Sequence, residues 1–243
     1  MLQIFRKKQS FSDTIEEGLD IHCHILPGID DGAQDVEKSI LLINGLQSLN
    51  INQAIATPHI MRGYYENDWT SIHNASNALR NYLISKSTFK FQSSAEYMLD
   101  ENFEIELNEK SLLTHPNNYV LIEMSYAFEN PELEKLIFRM QSAGYRPIMA
   151  HPERYNYWPI DYNIQKLINR GVKFQLNALS LSKYYGTHIQ KKALKWLRED
   201  VYTFIGTDMH HTRHLEALKE LKINAKDFER VKELWVNNKK YLT

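Results

Sequence analysis

Histidines and carboxylates recur along this chain at spacings that suit metal chemistry. His22 and His24 lie two residues apart in DIHCHI, and Asp208 and His210 repeat that spacing in TDMHH. Residues two apart on a strand share a face, so each pair presents two donor groups to one side. Cys23 and Met209 then point the opposite way, which makes Cys23 a core residue rather than a ligand. Between the pairs come Asp31 in PGIDDG, His59 in ATPHI, Glu96 in SSAEYM, Glu123 in YVLIEMS and His151 in AHPERY. Imidazoles mixed with carboxylates suit zinc, manganese or iron. Carboxylates gathered at one place repel one another unless a cation sits between them.

Each residue also has a plainer explanation. A buried histidine can bond to backbone, and His59 can be a turn residue. Glu96 alone can be a solvated charge. Glu123 is harder to dismiss, because an acid inside an apolar run needs a partner. Asp30 and Asp31 make good turn chemistry before a glycine, and Asp31 can also cap a helix starting near Ala33. Asp20 has two readings, a carboxylate orienting a first-strand histidine or a solvated strand-entry residue. The conjunction favours a metal centre. Two arginines have two readings, an anion grip, since a guanidinium fork fits phosphate oxygens, or a surface ion pair, and Arg154 is the better candidate for the grip because its neighbours anchor it at the rim. Arg154 follows His151 by three residues, and Arg213 follows His210 by three. His211 and His214 read as surface residues.

Short apolar runs alternate with longer segments of helical period. Strands are expected near 19–25, 53–57, 89–95, 119–125, 146–150, 172–177 and 201–207. Helices are expected near 35–49, 68–86, 131–143, 161–170 and 188–199, with two more near 214–221 and 225–238. This alternation predicts an α/β fold with a mainly parallel sheet, and seven units favour a distorted barrel over an open sheet. The candidate ligands then fall at successive strand C-termini, the rim where barrels of this class build their sites. His22 and His24 close the first strand, His59 follows the second, and Glu96, Glu123 and His151 end the third, fourth and fifth. Asp208 and His210 end the seventh. No GxGxxG follows a strand, so a dinucleotide fold has no direct support.

At 243 residues the chain suits one such domain, and 43% hydrophobic content supports a sizeable core. The expected division is a leader over 1–18 and a single domain over 19–243. The leader has basic residues but no apolar stretch, so it does not read as a secretory signal. A short mobile leader and a small amphipathic membrane tether are its two readings. No run approaches the roughly 20 apolar residues that span a bilayer. The net charge of -1 and the short basic run Arg6–Lys8 argue against a nucleic-acid partner. A lone cysteine excludes an internal disulfide and fits a reducing, cytoplasmic setting.

The series DIHCHILPGIDDG, ATPHI, SSAEYM, YVLIEMS, IMAHPERY and FIGTDMHH resembles the PHP (polymerase and histidinol phosphatase) superfamily. Within it, the series is similar to the manganese-dependent protein-tyrosine phosphatases of bacterial capsule and exopolysaccharide clusters, the CpsB/CapC type. The resemblance spans about residues 19 to 213. It implies a distorted, incomplete (β/α)7-like barrel, here one domain, with three metal ions. One metal would be held by His22, His24, Glu96 and Asp208. A second would share Glu96 and add Glu123 and His151, and the third would use Asp31, His59 and His210. Arg154 and Arg213 would match the family's phosphate-contacting arginines, the latter more loosely in its spacing. The implied partner is a phosphotyrosine protein, the tail of a bacterial tyrosine kinase. The segment after His59, IMRGYYEND, would help grip it, and carries one basic residue, Arg62, where some relatives have several. Iron or zinc also tolerate these ligands.

Chemistry from the residues is compatible with that resemblance. A cation-activated water attacking phosphorus needs a good leaving group if no strong general acid assists, and a phenol of pKa near 10 is a fair one. Cys23 lacks the arginine that a CX5R thiol phosphatase requires. Rival readings are a histidinol-phosphate or other small-molecule phosphatase, an amidohydrolase-type deacylase, and a non-catalytic metal-binding partner. Oligomeric state is not legible.

Overall fold

The computed structural model describes residues 8–84 and 86–243. Its strands are β1 (Gln9–Ser10), β2 (Gly18–Cys23), β3 (Ile51–Ala56), β4 (His59–Ile60), β5 (Lys90–Ser93), β6 (Glu96–Met98), β7 (Tyr119–Glu123), β8 (Arg146–Ala150), β9 (Lys173–Asn177), β10 (Phe204–Gly206) and β11 (Lys222–Ile223). Its helices are α1 (Val36–Ser48), α2 (Trp69–Leu83), α3 (Glu101–Glu109), α4 (Leu133–Ser142), α5 (Gln165–Asn169), α6 (Thr187–Arg198), α7 (Thr212–Glu220) and α8 (Ala225–Leu242). Among the described residues, no helix is long and apolar enough to cross a membrane.

Two expected strands, 53–57 and 89–95, each run on past a break at their C-terminal end. β3 and β4 are one bent strand interrupted at Thr57–Pro58, and β5 and β6 are another, interrupted at Ser94–Ala95. Pairing continues across both breaks, β3 with β5 and β4 with β6, all parallel. Parallel pairing then runs β6–β7–β8–β9–β10. With β2 beside β3, this makes seven strand units. The circuit closes where the Asp208 amide donates to the His22 carbonyl at 2.8 Å and the His24 amide donates to the Met209 carbonyl at 3.0 Å. The result is a distorted seven-stranded parallel barrel with helices outside.

That seam between β10 and β2 has few ladder bonds, so side chains hold it. Asp20 accepts from the backbone and hydroxyl of Thr207. Asn238 of α8 accepts from the Ile205 amide and donates to the Leu19 and Ile205 carbonyls. These bonds satisfy backbone groups that would otherwise be buried without partners. Gly206 is needed here because a Cβ would lie 2.6 Å from the His22 Cβ.

The lower barrel is filled by Leu19, Ile21, Ile55, Leu121, Ile148 and Phe204, with Leu242 of α8 in the same cluster. Strict alternation would send His22 and His24 away from a face that holds Leu19 and Ile21. A register shift in β2 between Asp20 and Cys23 resets the alternation, so both sets reach the interior at different heights.

Several expectations need correction. Glu96 opens β6 rather than ending a strand, since the chain bends before it. The seventh strand is shorter than expected, and α5 covers half of its expected span. Helix α3 was not expected; its acidic sequence hides the period, although Asp100 caps it by accepting from the Phe103 amide. Asp35, not Asp31, caps α1. Residues 8–17 of the expected leader are built into the fold. β1 pairs antiparallel with β11, and fully buried Phe11 packs on Trp235 with ring centroids 6.0 Å apart. Residues 1–7 lie outside the described residues.

Candidate metal centre

Nine predicted ligands converge at the C-terminal mouth of the barrel, eight of them in three overlapping groups of donor atoms and His151 beside these. His22, His24, Glu96 and Asp208 form one, with Glu96 Oε2 3.0 Å from His22 Nε2 and Asp208 Oδ1 3.4 Å from both His22 Nε2 and His24 Nε2. His59, Glu96 and Glu123 form the next, where His59 Nδ1 lies 3.2 Å from Glu96 and 3.1 Å from Glu123. His151 Nε2 stands 3.0 Å from the other Glu96 oxygen, so Glu96 reaches toward both groups. The third gathers His24, Asp31, His59 and His210, with Asp31 Oδ1 3.5 Å from His59 Nε2 and 3.4 Å from His210 Nε2.

Backbone geometry places these side chains. Asp208 does not continue the strand: its φ of 51° lies in the left-handed region, as does His151 at 31°. Those conformations cost a non-glycine residue energy, and here they turn the side chains inward just after β10 and β8. Asp208 and His210 therefore face the cluster through a bend, not through the strand alternation that the spacing suggested.

Three imidazoles are held by acceptors on their Nδ1 side. His22 Nδ1 is 3.0 Å from Gln175 Oε1, His24 Nδ1 is 2.8 Å from Asp30 Oδ2, and His210 Nδ1 is 2.9 Å from the Asp208 carbonyl. Acceptors there place the ring proton on Nδ1 and leave the Nε2 lone pair facing the cluster, as a metal ligand requires. Asp30 is thus more than turn chemistry: its carboxylate is buried and also accepts from the Gly32 amide. Asp20 fits neither of its two sequence readings. It is fully buried, and it bonds to the His22 amide and to Thr207 rather than to an imidazole ring.

The electrostatics show why a cation belongs here. Burial would raise Glu96 and Asp208, but the surrounding imidazoles hold both carboxyls well below their usual range. Burial would lower His59, but Glu96 and Glu123 hold it up at about 9. Even so, His59 Nδ1, Glu96 Oε2, Glu123 Oε1 and His151 Nδ1 are buried and make no hydrogen bond. Buried polar atoms left unpaired are costly, and carboxylates facing imidazole nitrogens across 3–3.5 Å are a donor set that divalent ions fit.

The cluster opens into a cavity of about 340 Å³, also lined by Tyr65, Tyr126, Arg154 and Tyr185. Arg154 Nη1 donates to Asp208 Oδ2 at 2.7 Å, and its guanidinium lies 4.8 Å from the Tyr126 ring centroid and 4.4 Å from that of Tyr185. Asn177 supports the same wall by donating to Asp208 Oδ2 at 2.9 Å, while buried Glu153 accepts from the Asn177 amide. Gln175 and Asn177 were missed in the sequence, yet two amide side chains at alternate positions near the end of a strand were a usable signal.

Arg213 is not brought to this cavity. It is exposed in the first turn of α7, whose N-cap His211 turns the helix so that His214 faces inward. His211 and His214 line the cavity, contrary to their surface reading. Arg62 pairs with Glu101 at the rim. Cys23 is fully buried, and burial pushes its thiol well up, which leaves no thiolate for nucleophilic attack.

Over residues 18–240 the chain matches a family model described as capsular polysaccharide synthesis, CpsB/CapC. It is 30% identical over 217 residues to the tyrosine-protein phosphatase YwqE of Bacillus subtilis (strain 168), covering 86% of this chain and 85% of the relative. It is 27% identical over 237 residues to the tyrosine-protein phosphatase CpsB of Streptococcus pneumoniae, covering 90% and 96%. A solved structure from work on YwqE and CpsB of those two species, described as unique metal-dependent tyrosine phosphatases, matches with a TM-score of 0.75 at 28% identity, over 93% of this chain and 88% of that one. A histidinol phosphate phosphatase from Lactococcus lactis shares the fold alone, with a TM-score of 0.53 at 12% identity, over 88% of this chain and 94% of that one.

Proposed function

This chain belongs to the CpsB/CapC family of capsular polysaccharide synthesis, and on that premise we propose that it is a metal-dependent phosphatase of phosphotyrosine in proteins. The observation that carries the reading is the set of three overlapping ligand groups, with three of their buried donor atoms unpaired, at the floor of an arginine-walled cavity. We assign three manganese ions. His22, His24, Glu96 and Asp208 would hold one. Glu96, Glu123 and His151 would hold a second beside His59, and Asp31, His59 and His210 the third. When bound, the cations supply positive charge and Lewis acidity for a phosphate dianion and acidify nearby water.

The chain's own groups supply the rest. Arg154 grips phosphate oxygens with the N–H groups that Asp208 leaves free. Its ion pair and its two flanking rings hold the guanidinium in place before substrate arrives. Asn177 and Glu153 keep Asp208 and that wall in register. Tyr65, Tyr126 and the methionines Met61 and Met98 offer an aromatic and apolar mouth for the substrate ring. A phenol leaves with less proton assistance than an alkyl alcohol, which favours aryl phosphates. The partner we assign is the phosphorylated tail of a bacterial tyrosine kinase acting in capsule or exopolysaccharide synthesis, in the cytoplasm.

The test is a phosphotyrosine-peptide assay on the purified protein alongside metal analysis. Chelation abolishes turnover and manganese restores it. Activity that survives exhaustive chelation, or faster turnover of histidinol phosphate than of the peptide, overturns the reading.

A further inference from the structure

The metal-ligand cavity is too small to hold more than one residue's side chain and phosphate, at about 340 Å³. A protein substrate must continue beyond that residue in both directions. On one side the mouth runs into a groove of about 640 Å³, and Met61 and Met98 line both spaces. We propose that this groove holds the polypeptide next to the phosphotyrosine and takes an aromatic or aliphatic side chain within a few residues of it. The proposal rests on the phosphotyrosine reading and adds a flanking-sequence preference.

Chemistry along the groove points to an apolar occupant. Met61, Met98 and Leu99 supply adaptable apolar surface, and Tyr64 and Phe128 stand at the rim with 80% and 64% of their surface exposed. Large exposed aromatics beside a binding mouth are the residue type that carries contact energy in interfaces. Among the described residues lining the groove, Arg62 alone is cationic, and Glu101 neutralises it. Glu104 pairs with Arg139, and both Asp100 oxygens accept backbone N–H groups. No cation is left for an acidic flank, and the apolar surface of Met61, Tyr64, Met98, Leu99 and Phe128 is what the groove offers a neighbouring residue.

The rims are set before a partner arrives. The Met61–Tyr65 turn is closed by the Tyr65 amide donating to the Met61 carbonyl at 2.8 Å, and it is tied to α3 by the Arg62 amide donating to Asp100 at 2.8 Å. On the far side, Asn130 donates to the Leu99 carbonyl at 2.9 Å, which anchors the segment carrying Phe128. A preset groove binds without the entropy cost of ordering loops.

The experiment uses the metal-loaded full chain, the variants Tyr64→Ala, Phe128→Ala and their double, and three substrates. These are p-nitrophenyl phosphate, a phosphotyrosine peptide flanked by leucine and phenylalanine, and the same peptide flanked by serines. Neither residue lines the catalytic cavity, so kcat/KM for p-nitrophenyl phosphate stays within about twofold of the parent. For the apolar-flanked peptide the double variant loses about tenfold in kcat/KM, carried by KM, as expected for uncovering one apolar side chain. The serine-flanked peptide starts lower and barely changes. An unchanged apolar-flanked peptide, or equal losses on all three substrates, overturns the groove proposal while leaving the phosphatase reading intact. A parent protein that hydrolyses none of the three sinks the phosphatase reading, and the groove's occupant with it.

Discussion

Replacing Asp30 by asparagine separates two roles for one residue. As turn chemistry, asparagine serves nearly as well as aspartate before a glycine, so Asp30→Asn would be silent. The structure assigns a different job. One carboxylate oxygen accepts from the Gly32 amide at 2.9 Å, and the other accepts from His24 Nδ1 at 2.8 Å and from the His59 amide at 3.3 Å. Both oxygens are therefore in use, in a side chain that is 1% exposed. Asparagine keeps one acceptor and puts an NH2 in place of the other. If the NH2 faces Gly32, a buried N–H loses its acceptor. If it faces His24, the ring must shift its proton to Nε2, the atom aimed at Glu96 and Asp208. A charge-assisted hydrogen bond lost in either way costs about 1.5–3 kcal/mol. Converted at 1.4 kcal/mol per decade, that is roughly 10- to 100-fold, the usual range for losing a partner that orients a metal-binding histidine. The assay is a manganese titration of apo protein, read by calorimetry and by phosphatase activity, with thermal unfolding of the apo form as control. We expect the weakest-bound manganese to need about 30-fold more free metal in Asp30→Asn. Affinity within about twofold of the parent, with activity kept, would refute the argument that Asp30 orients His24.

Two further outcomes follow from the geometry. Arg154→Lys keeps a positive charge beside Asp208 but loses the fork and the stacking between Tyr126 and Tyr185; kcat/KM on a phosphotyrosine peptide should fall about 100-fold with metal content unchanged, and co-loss of metal would show that the residue is structural instead. His115 is buried and held neutral, its pKa lowered to about 4 chiefly by burial, while its ring bonds to Ser94 and the Ile21 carbonyl. The unfolded chain takes up that proton near pH 6.5, so the stability His115 contributes is present above pH 6.5 and is lost as pH falls toward 4. Urea unfolding of the apo protein at pH 7 and pH 4.5 should show about 2–3 kcal/mol more loss for the parent than for His115→Gln, and equal losses would remove His115 from the acid sensitivity.

Much of this molecule was legible in the linear chain because two signals are local. Hydrophobic period marks strands and helices, and donor residues at strand ends mark a rim. Seven strand units, a parallel barrel and the nine metal-ligand candidates follow from those two signals together with the family motifs. What failed was the part that depends on contacts made only when the chain folds back on itself. Asp30 reads as a turn residue because its partner His24 is recognisable only once the turn folds back over β2. Asp20 lies 187 positions before Thr207, and no spacing rule links them; a barrel seam does. Arg154 and Arg213 share a spacing, each three residues past a histidine, yet one follows a strand into the mouth and the other begins an exposed helix.

The chain by itself determined which chemistry was possible: imidazoles and carboxylates in number, at the ends of apolar strands, with one unreactive thiol. Only the folded barrel decided which of those groups lie close enough to share an ion, which ring nitrogen faces inward, and which arginine lines the cavity. Ligation and ion pairing act over a few ångströms, and distances that short between remote residues exist only after the barrel closes.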